Sequence, residues 1–267
     1  MESGRLHPLR SVEGRRVKEG KARVELGDGL VQYMAVADET MREWQAADAP
    51  LLKVLLQYDA YFRRDLWEHV SPTPAFAFVL FLNAYQMFLG AVRMALSGHP
   101  AAVFPLVRTA LESASYGYLM EQQPALSEVW GNRHRSEADK KACRNAFTFD
   151  KAIKGLADKA PDIERLAKEA YEGAIDYGAH PNLKGVFGHV SINDDRSDGM
   201  VAVTHTSLYG SDHHETIRGI CACLDFGFVI IGIVALSGST ATGELQNELQ
   251  ALNDAKEAAI TTYQSAE

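Results

Sequence analysis

Residues 75–96 read AFAFVLFLNAYQMFLGAVRMAL, and after Ser97-Gly98-His99-Pro100 the chain continues AAVFPLVRTALESASYGYLME through Glu121. Both halves are apolar on most sides and about as long as a core helix. Between them Gly98-His99-Pro100 is a short break, so two long helices packing side by side are predicted, Ala75–Leu96 and Ala101–Glu121. That pair decides the fold class, because nothing around it supplies a sheet.

On the N-terminal side helices are expected over Leu30–Gln45 and Leu51–His69, the second starting at Pro50, where proline is tolerated. Ser71-Pro72-Thr73-Pro74 separates them from the apolar pair. On the C-terminal side helices are expected over Ala125–His134, Glu137–Lys159 and Ile163–Gly178. Two longer ones follow at His213–Leu236, capped by Ser211-Asp212, and Gly243–Tyr263. Residues 183–199 are rich in glycine and aspartate and are expected to form a loop. MVAVTHTSL, Met200–Leu208, is the one stretch with partial alternation and suits a lone strand or a hairpin arm. The expectation is an all-α bundle of seven or eight helices, a single domain over 29–267, preceded by a basic, loosely ordered arm at 1–28. No internal repeat is visible.

Composition narrows the function classes. The 267 residues carry 27 basic and 35 acidic side chains, a net charge of −8, which argues against a dedicated double-stranded DNA binder. Hydrophobic residues are 46% and charged residues 23%, a globular balance and not a disordered one. Three cysteines cannot all pair within the chain, and Cys221 and Cys223 are too close for an ordinary bridge, so a reduced, cytoplasmic setting is expected. The first 23 residues lack the apolar segment of a secretory signal. Residues 75–96 and 217–236 are apolar enough to raise a membrane question. The first contains Asn83, Gln86 and Arg93, and the second Arg218 and Asp225, so both are expected to be buried core helices without membrane association.

The informative feature is polar residues inside apolar helices. Asn83, Gln86, Gly90 and Arg93 fall at spacings of three, four and three, which makes one narrow stripe. Arg108, Glu112 and Ser115 make another, and Arg108 and Glu112, four apart, can pair along the helix. If the two helices pack side by side, the stripes could meet in a groove or form a paired structural network. A second feature is Tyr171…Asp176-Tyr177-Gly178-Ala179-His180-Pro181-Asn182. His180 ends a helix, with Asp176 four residues before it to orient the ring. Histidine is suited to proton transfer near neutral pH, and it also caps helix ends. Adjacent His213 and His214 diverge on a helix, so no metal site is expected, and no cofactor either. P-loop, dinucleotide-binding and nucleophile-elbow motifs are absent.

Arg108-Thr109-Ala110-Leu111-Glu112 after the turn, Trp130-x-x-Arg133, and YEGAIDYGAHP from Tyr171 to Pro181 together resemble a group of bacterial helical proteins. The resemblance covers about residues 75–185, and that group is in turn similar to the HEPN (higher eukaryotes and prokaryotes nucleotide-binding) helical bundles. The resemblance implies RNA or nucleotide binding, a homodimer, and metal-independent endoribonuclease activity of the toxin or phage-defence kind. Arg108, Glu112 and His180 would be catalytic, with Arg93, His99, Asn83, Gln86, Arg133 and Asn182 in binding. The pattern departs from active HEPN ribonucleases, which carry R-x(4–6)-H on one helix. Here that spacing occurs at Arg63 or Arg64 with His69 and at Arg93 with His99. The rival expectation is a non-enzymatic helical dimer in which Arg108–Glu112 is a buried clamp.

Overall fold

A computed structural model of the chain describes residues 29–69, 74–193, 202–237 and 243–264. The basic arm at 1–28 lies outside the described residues. The protein is an all-α bundle with one small hairpin. Its centre is α4 (Ala75–Leu96), α5 (Pro100–Gln122) and α12 (His214–Ala235). The first two are antiparallel across the predicted turn, and α12 packs on both. α1 (Leu30–Ala46), α2 (Pro50–Arg63) and α3 (Leu66–His69) lie before them in the chain, and α13 (Gly243–Gln264) packs on α2 and α12.

Burial explains the hierarchy. Val103, Val107, Ala110, Leu111 and Ala114 of α5 are inaccessible to solvent, as are Ile230, Ile231, Ile233 and Val234 of α12. An aliphatic side chain gains about 1.5–3 kcal/mol on full burial. The charges that interrupt residues 217–236 are paired. Lys256 of α13 lies 2.9 Å from Asp225 and fastens α13 to α12, while Arg218 lies 2.5 Å from Glu215. Both α4 and α12 are long and apolar enough to cross a membrane. The apolar window of α12 is 72% buried in the bundle, and that of α4 is 33% buried.

The turn between α4 and α5 is held from outside. Gly98 has φ +78°, and a methyl group at its Cα would overlap the Tyr209 carbonyl. The Tyr209 N–H donates to the Gly98 carbonyl at 3.0 Å, so the chain entering α12 is latched to the turn.

Several expected helices are subdivided. The helix expected over 51–69 stops at Arg63, because Arg64 leaves helical geometry, and Leu66 starts a separate turn in which it is wholly buried. The stretch 137–159 becomes α7 (Glu137–Ala146), α8 (Phe149–Ile153) and α9 (Leu156–Lys159). Phe147 and Phe149 are both buried, and two residues apart on one helix they would point about 200° from each other. A break at Thr148 lets both face inward. The expected helix at 125–134 is shorter, α6 (Leu126–Gly131). α10 (Pro161–Ala174) ends in a π-helical turn over Ile175–Ala179. The loop expected over 183–199 contains α11 (Leu183–Phe187) and β1 (Val190–Asn193). β1 pairs antiparallel with β2 (Ala202–His205), Val190 opposite His205, so the strand segment is a hairpin arm. Finally, His213 and not Ser211-Asp212 caps α12, its Nδ1 accepting from the Glu215 N–H at 3.1 Å.

Candidate functional site

Arg108 and Glu112 lie one turn apart on α5, Nε to Oε1 3.1 Å. Arg108 Nη2 donates to the Tyr171 hydroxyl of α10 at 2.8 Å, and that hydroxyl donates to Glu112 Oε1 at 3.3 Å. Arg108 Nη1 contacts His180 Nε2. Three side chains from three chain segments therefore converge on one guanidinium. A guanidinium only donates, so His180 Nε2 carries a lone pair and the ring proton is assigned to Nδ1.

Each member is held from behind. The Tyr171 ring stacks on buried Phe149, centroids 4.0 Å apart and planes within 6°, and its other partner is the Arg108 guanidinium, 4.8 Å from the ring centroid. His180 is delivered by the π turn. Gly178 takes φ +130° there, and a methyl on Gly185 would come 2.8 Å from the Gly178 Cα, so the two backbones cross in contact. Asn182 closes the loop. Its Nδ2 donates to the carbonyls of Ile175 and His180, and its Oδ1 accepts from the Gly185 N–H at 2.9 Å. Asp176 pairs with Lys184, so the expected orientation of His180 by Asp176 does not occur; Arg108 orients the ring instead.

The electrostatics suit a fixed cation at the edge of the bundle. Burial opposes the Arg108 charge, but Glu112 and the Tyr171 hydroxyl outweigh it and raise the arginine further. Burial first, then the Glu112 charge, raises Tyr171, and the same two causes push the neighbouring Tyr116 to about 12. The Arg108 side chain is only 18% exposed and Glu112 28%, whereas His180 stands in solvent. The cluster therefore opens outward on the histidine side.

The other expected site residues lie elsewhere. Asn83 faces α5, donating to Ser113 Oγ at 2.8 Å beside Glu112 in sequence, but Gln86 of the same stripe points to solvent. Arg93 is directed to α1, where it pairs with Asp38 at 2.8 Å and touches Met41. The two stripes therefore do not form one groove. His99 Nδ1 lies 3.0 Å from Ser97 Oγ and packs edge-on to Tyr33. It is nine residues before Arg108, about 14 Å along the helix axis. Arg133 approaches the Cys143 sulfur at 3.8 Å, between α6 and α7. Asn182 is a staple behind His180.

Tyr171 and Phe149 are the members that sequence reasoning left out of the site. The only local signal for Tyr171 was its position nine residues before His180, and Phe149 had none. A second polar cluster lies at the hairpin and the start of α12. His189 Nδ1 is 2.8 Å from the Tyr209 hydroxyl, and the Tyr209 ring packs on His213. Among the described residues no three His, Cys, Asp or Glu converge as a metal site. No family model matches the chain, and neither a curated protein nor a solved structure shows significant similarity to it.

Proposed function

We propose that this is a cytoplasmic, HEPN-like protein that binds RNA or a nucleotide at the Arg108–Tyr171–His180 cluster and cleaves RNA without a metal. The observation that carries the reading is the contact of Arg108 Nη1 with His180 Nε2, a phosphate-type cation beside a lone-pair nitrogen at a solvent-facing edge. In this reading a phosphodiester takes the place of the imidazole on Nη1. The freed Nε2 accepts the proton of the adjacent 2′-hydroxyl, O2′ attacks phosphorus, and the P–O5′ bond breaks. The products are a 2′,3′-cyclic phosphate and a 5′-hydroxyl, which takes its proton from solvent. Arg108 carries the charge that builds on the phosphoryl oxygens, and Glu112 and Tyr171 hold it in place.

A second reading is favoured by a specific observation. All three guanidinium nitrogens already have protein partners, which is how a structural clamp is built. Under it the chain is a non-enzymatic interaction protein. His180→Ala separates the two. The ring is exposed, so its loss leaves the fold intact in either case. Labelled single-stranded RNA is incubated with wild type and variant in excess chelator. Cleavage to cyclic-phosphate ends that falls at least 100-fold in His180→Ala supports the enzyme reading. Cleavage at equal rates in both removes His180 from the chemistry, and cleavage in neither, with RNA binding also absent, leaves the clamp.

A further inference from the structure

We infer that the outer face of α4 is a seam for a second copy of this chain, packed antiparallel about a two-fold axis through Gln86. The solvent-facing positions of α4 include Val79, Leu82, Gln86, Leu89 and Arg93. Their spacings are three, four, three and four, the alternation of a helix–helix seam. Phe76 and Phe78 flank it. α12, the other long apolar helix, is enclosed by the bundle, but among the described residues this face of α4 is left open.

Three observations select a second copy as the occupant. The first is Gln86. Set at the midpoint between Val79 and Arg93, it is the single uncharged polar residue in the row. A two-fold axis there brings two Gln86 amides together, each able to donate to and accept from the other, and places Val79 against the stem of the partner copy's arginine at position 93. A lone polar residue in a seam fixes register in this way. The second is charge. Arg93 is the only charged residue of α4, and it is already paired with Asp38 of its own chain. Among the described residues the face thus lacks the free basic cluster that an anionic bilayer would recognise. In the antiparallel arrangement the two Arg93 residues lie about 20 Å apart, whereas a parallel pair would press them together. The third is area. Phe76, Phe78, Val79, Leu82 and Leu89 are each 41–52% exposed. Together they offer about 400 Å², taking about 150–250 Å² for a whole aromatic side chain and the low end of that range for an aliphatic one. Where Arg93 meets Asp38 and Met41, the same row of α1 continues through Met34 to Val31, which are 49% and 79% exposed. The combined face, about 600 Å², reaches the low end of the roughly 600–1,000 Å² per partner of a stable interface.

The seam is independent of the RNA reading, since it contains none of the Arg108 cluster. The full-length chain is examined by light scattering after size exclusion from about 1 to 100 μM. The expected mass is twice 29.4 kDa, falling to 29.4 kDa in Leu82→Glu with unchanged far-ultraviolet circular dichroism. In a Cys221→Ser background, which removes the one cysteine that is not buried, Gln86→Cys should join into a covalent dimer on mild oxidation. Val79→Cys should not join to itself. A mass of 29.4 kDa at every concentration overturns the inference, as does a dimer indifferent to Leu82→Glu. Self-linkage of Val79→Cys equal to that of Gln86→Cys overturns the antiparallel arrangement. Flotation of a monomer with phosphatidylcholine vesicles, lost in Leu82→Glu, would assign the face to lipid instead.

Discussion

Replacing Arg108 by alanine removes a guanidinium that ties α5 to α10 and to the chain beyond the π turn. Its magnitude follows from what each partner does afterwards. Glu112 loses a charge-assisted bond but keeps the Tyr171 hydroxyl and is 28% exposed, so water replaces part of the loss. Tyr171 loses both its donor and the cation on its ring. His180 stands in solvent and contributes little. With hydrogen bonds to charged groups at about 1.5–3 kcal/mol before such compensation, the net loss is about 2–3 kcal/mol. For a chain of this size that is a fall in Tm of about 4–12 °C, with the fold retained. Urea unfolding followed by circular dichroism measures it, and a double-mutant cycle with Glu112→Ala should give a coupling of about 1 kcal/mol. Stability within 0.5 kcal/mol of wild type, or no coupling, would show that the cluster does not hold the helices together and would refute the reasoning.

Gly98→Ala combines a strained positive φ, worth about 1–2 kcal/mol, with overlap against the Tyr209 carbonyl. A loss above 3 kcal/mol is expected by calorimetry; a loss below 1 would mean the latch can shift freely. Acid should destabilise the protein through His99 and His189. Burial holds both below the usual 6.5, partly offset by Ser97 at His99 and by Glu215 at His189, while Arg93 and Arg218 respectively push them further down. The folded state then binds fewer protons than the unfolded one, so their contribution is complete above 6.5 and is lost as pH falls below it. Removing both rings, as His99→Gln with His189→Gln, should flatten the stability profile between about pH 4 and 6.5; an unchanged slope would contradict this assignment.

What was legible in the sequence and what was not separate along physical lines. The α4–α5 pair was plain because long apolar runs and the Gly98-His99-Pro100 break are local signals. Ala75–Leu96 agrees with the expected limits at both ends. Three α-helices and two breaks were hidden in 137–159, because helix propensity runs through a segment that tertiary burial of Phe147 and Phe149 interrupts. The Arg108–Glu112 pair followed from a four-residue spacing, but its meeting with His180, 72 residues away, depends on how α10 is docked. The polar stripe of α4 misled for a related reason. Asn83 turns toward Ser113 while Gln86 and Arg93 turn outward, and a spacing on one helix does not say which side its neighbour occupies.

The π-helical turn at Ile175–Ala179 makes the cluster sensitive to arithmetic as well as to chemistry. Gly178, at φ +130°, turns the chain out of the helix there, so deleting one residue ahead of it would start that turn about 100° earlier around α10. His180, Asn182 and Lys184 would keep their identities yet face another direction, and Arg108 would lose its imidazole. Related chains could therefore part company at this cluster through a single-codon insertion or deletion, with every side chain that composes it still present.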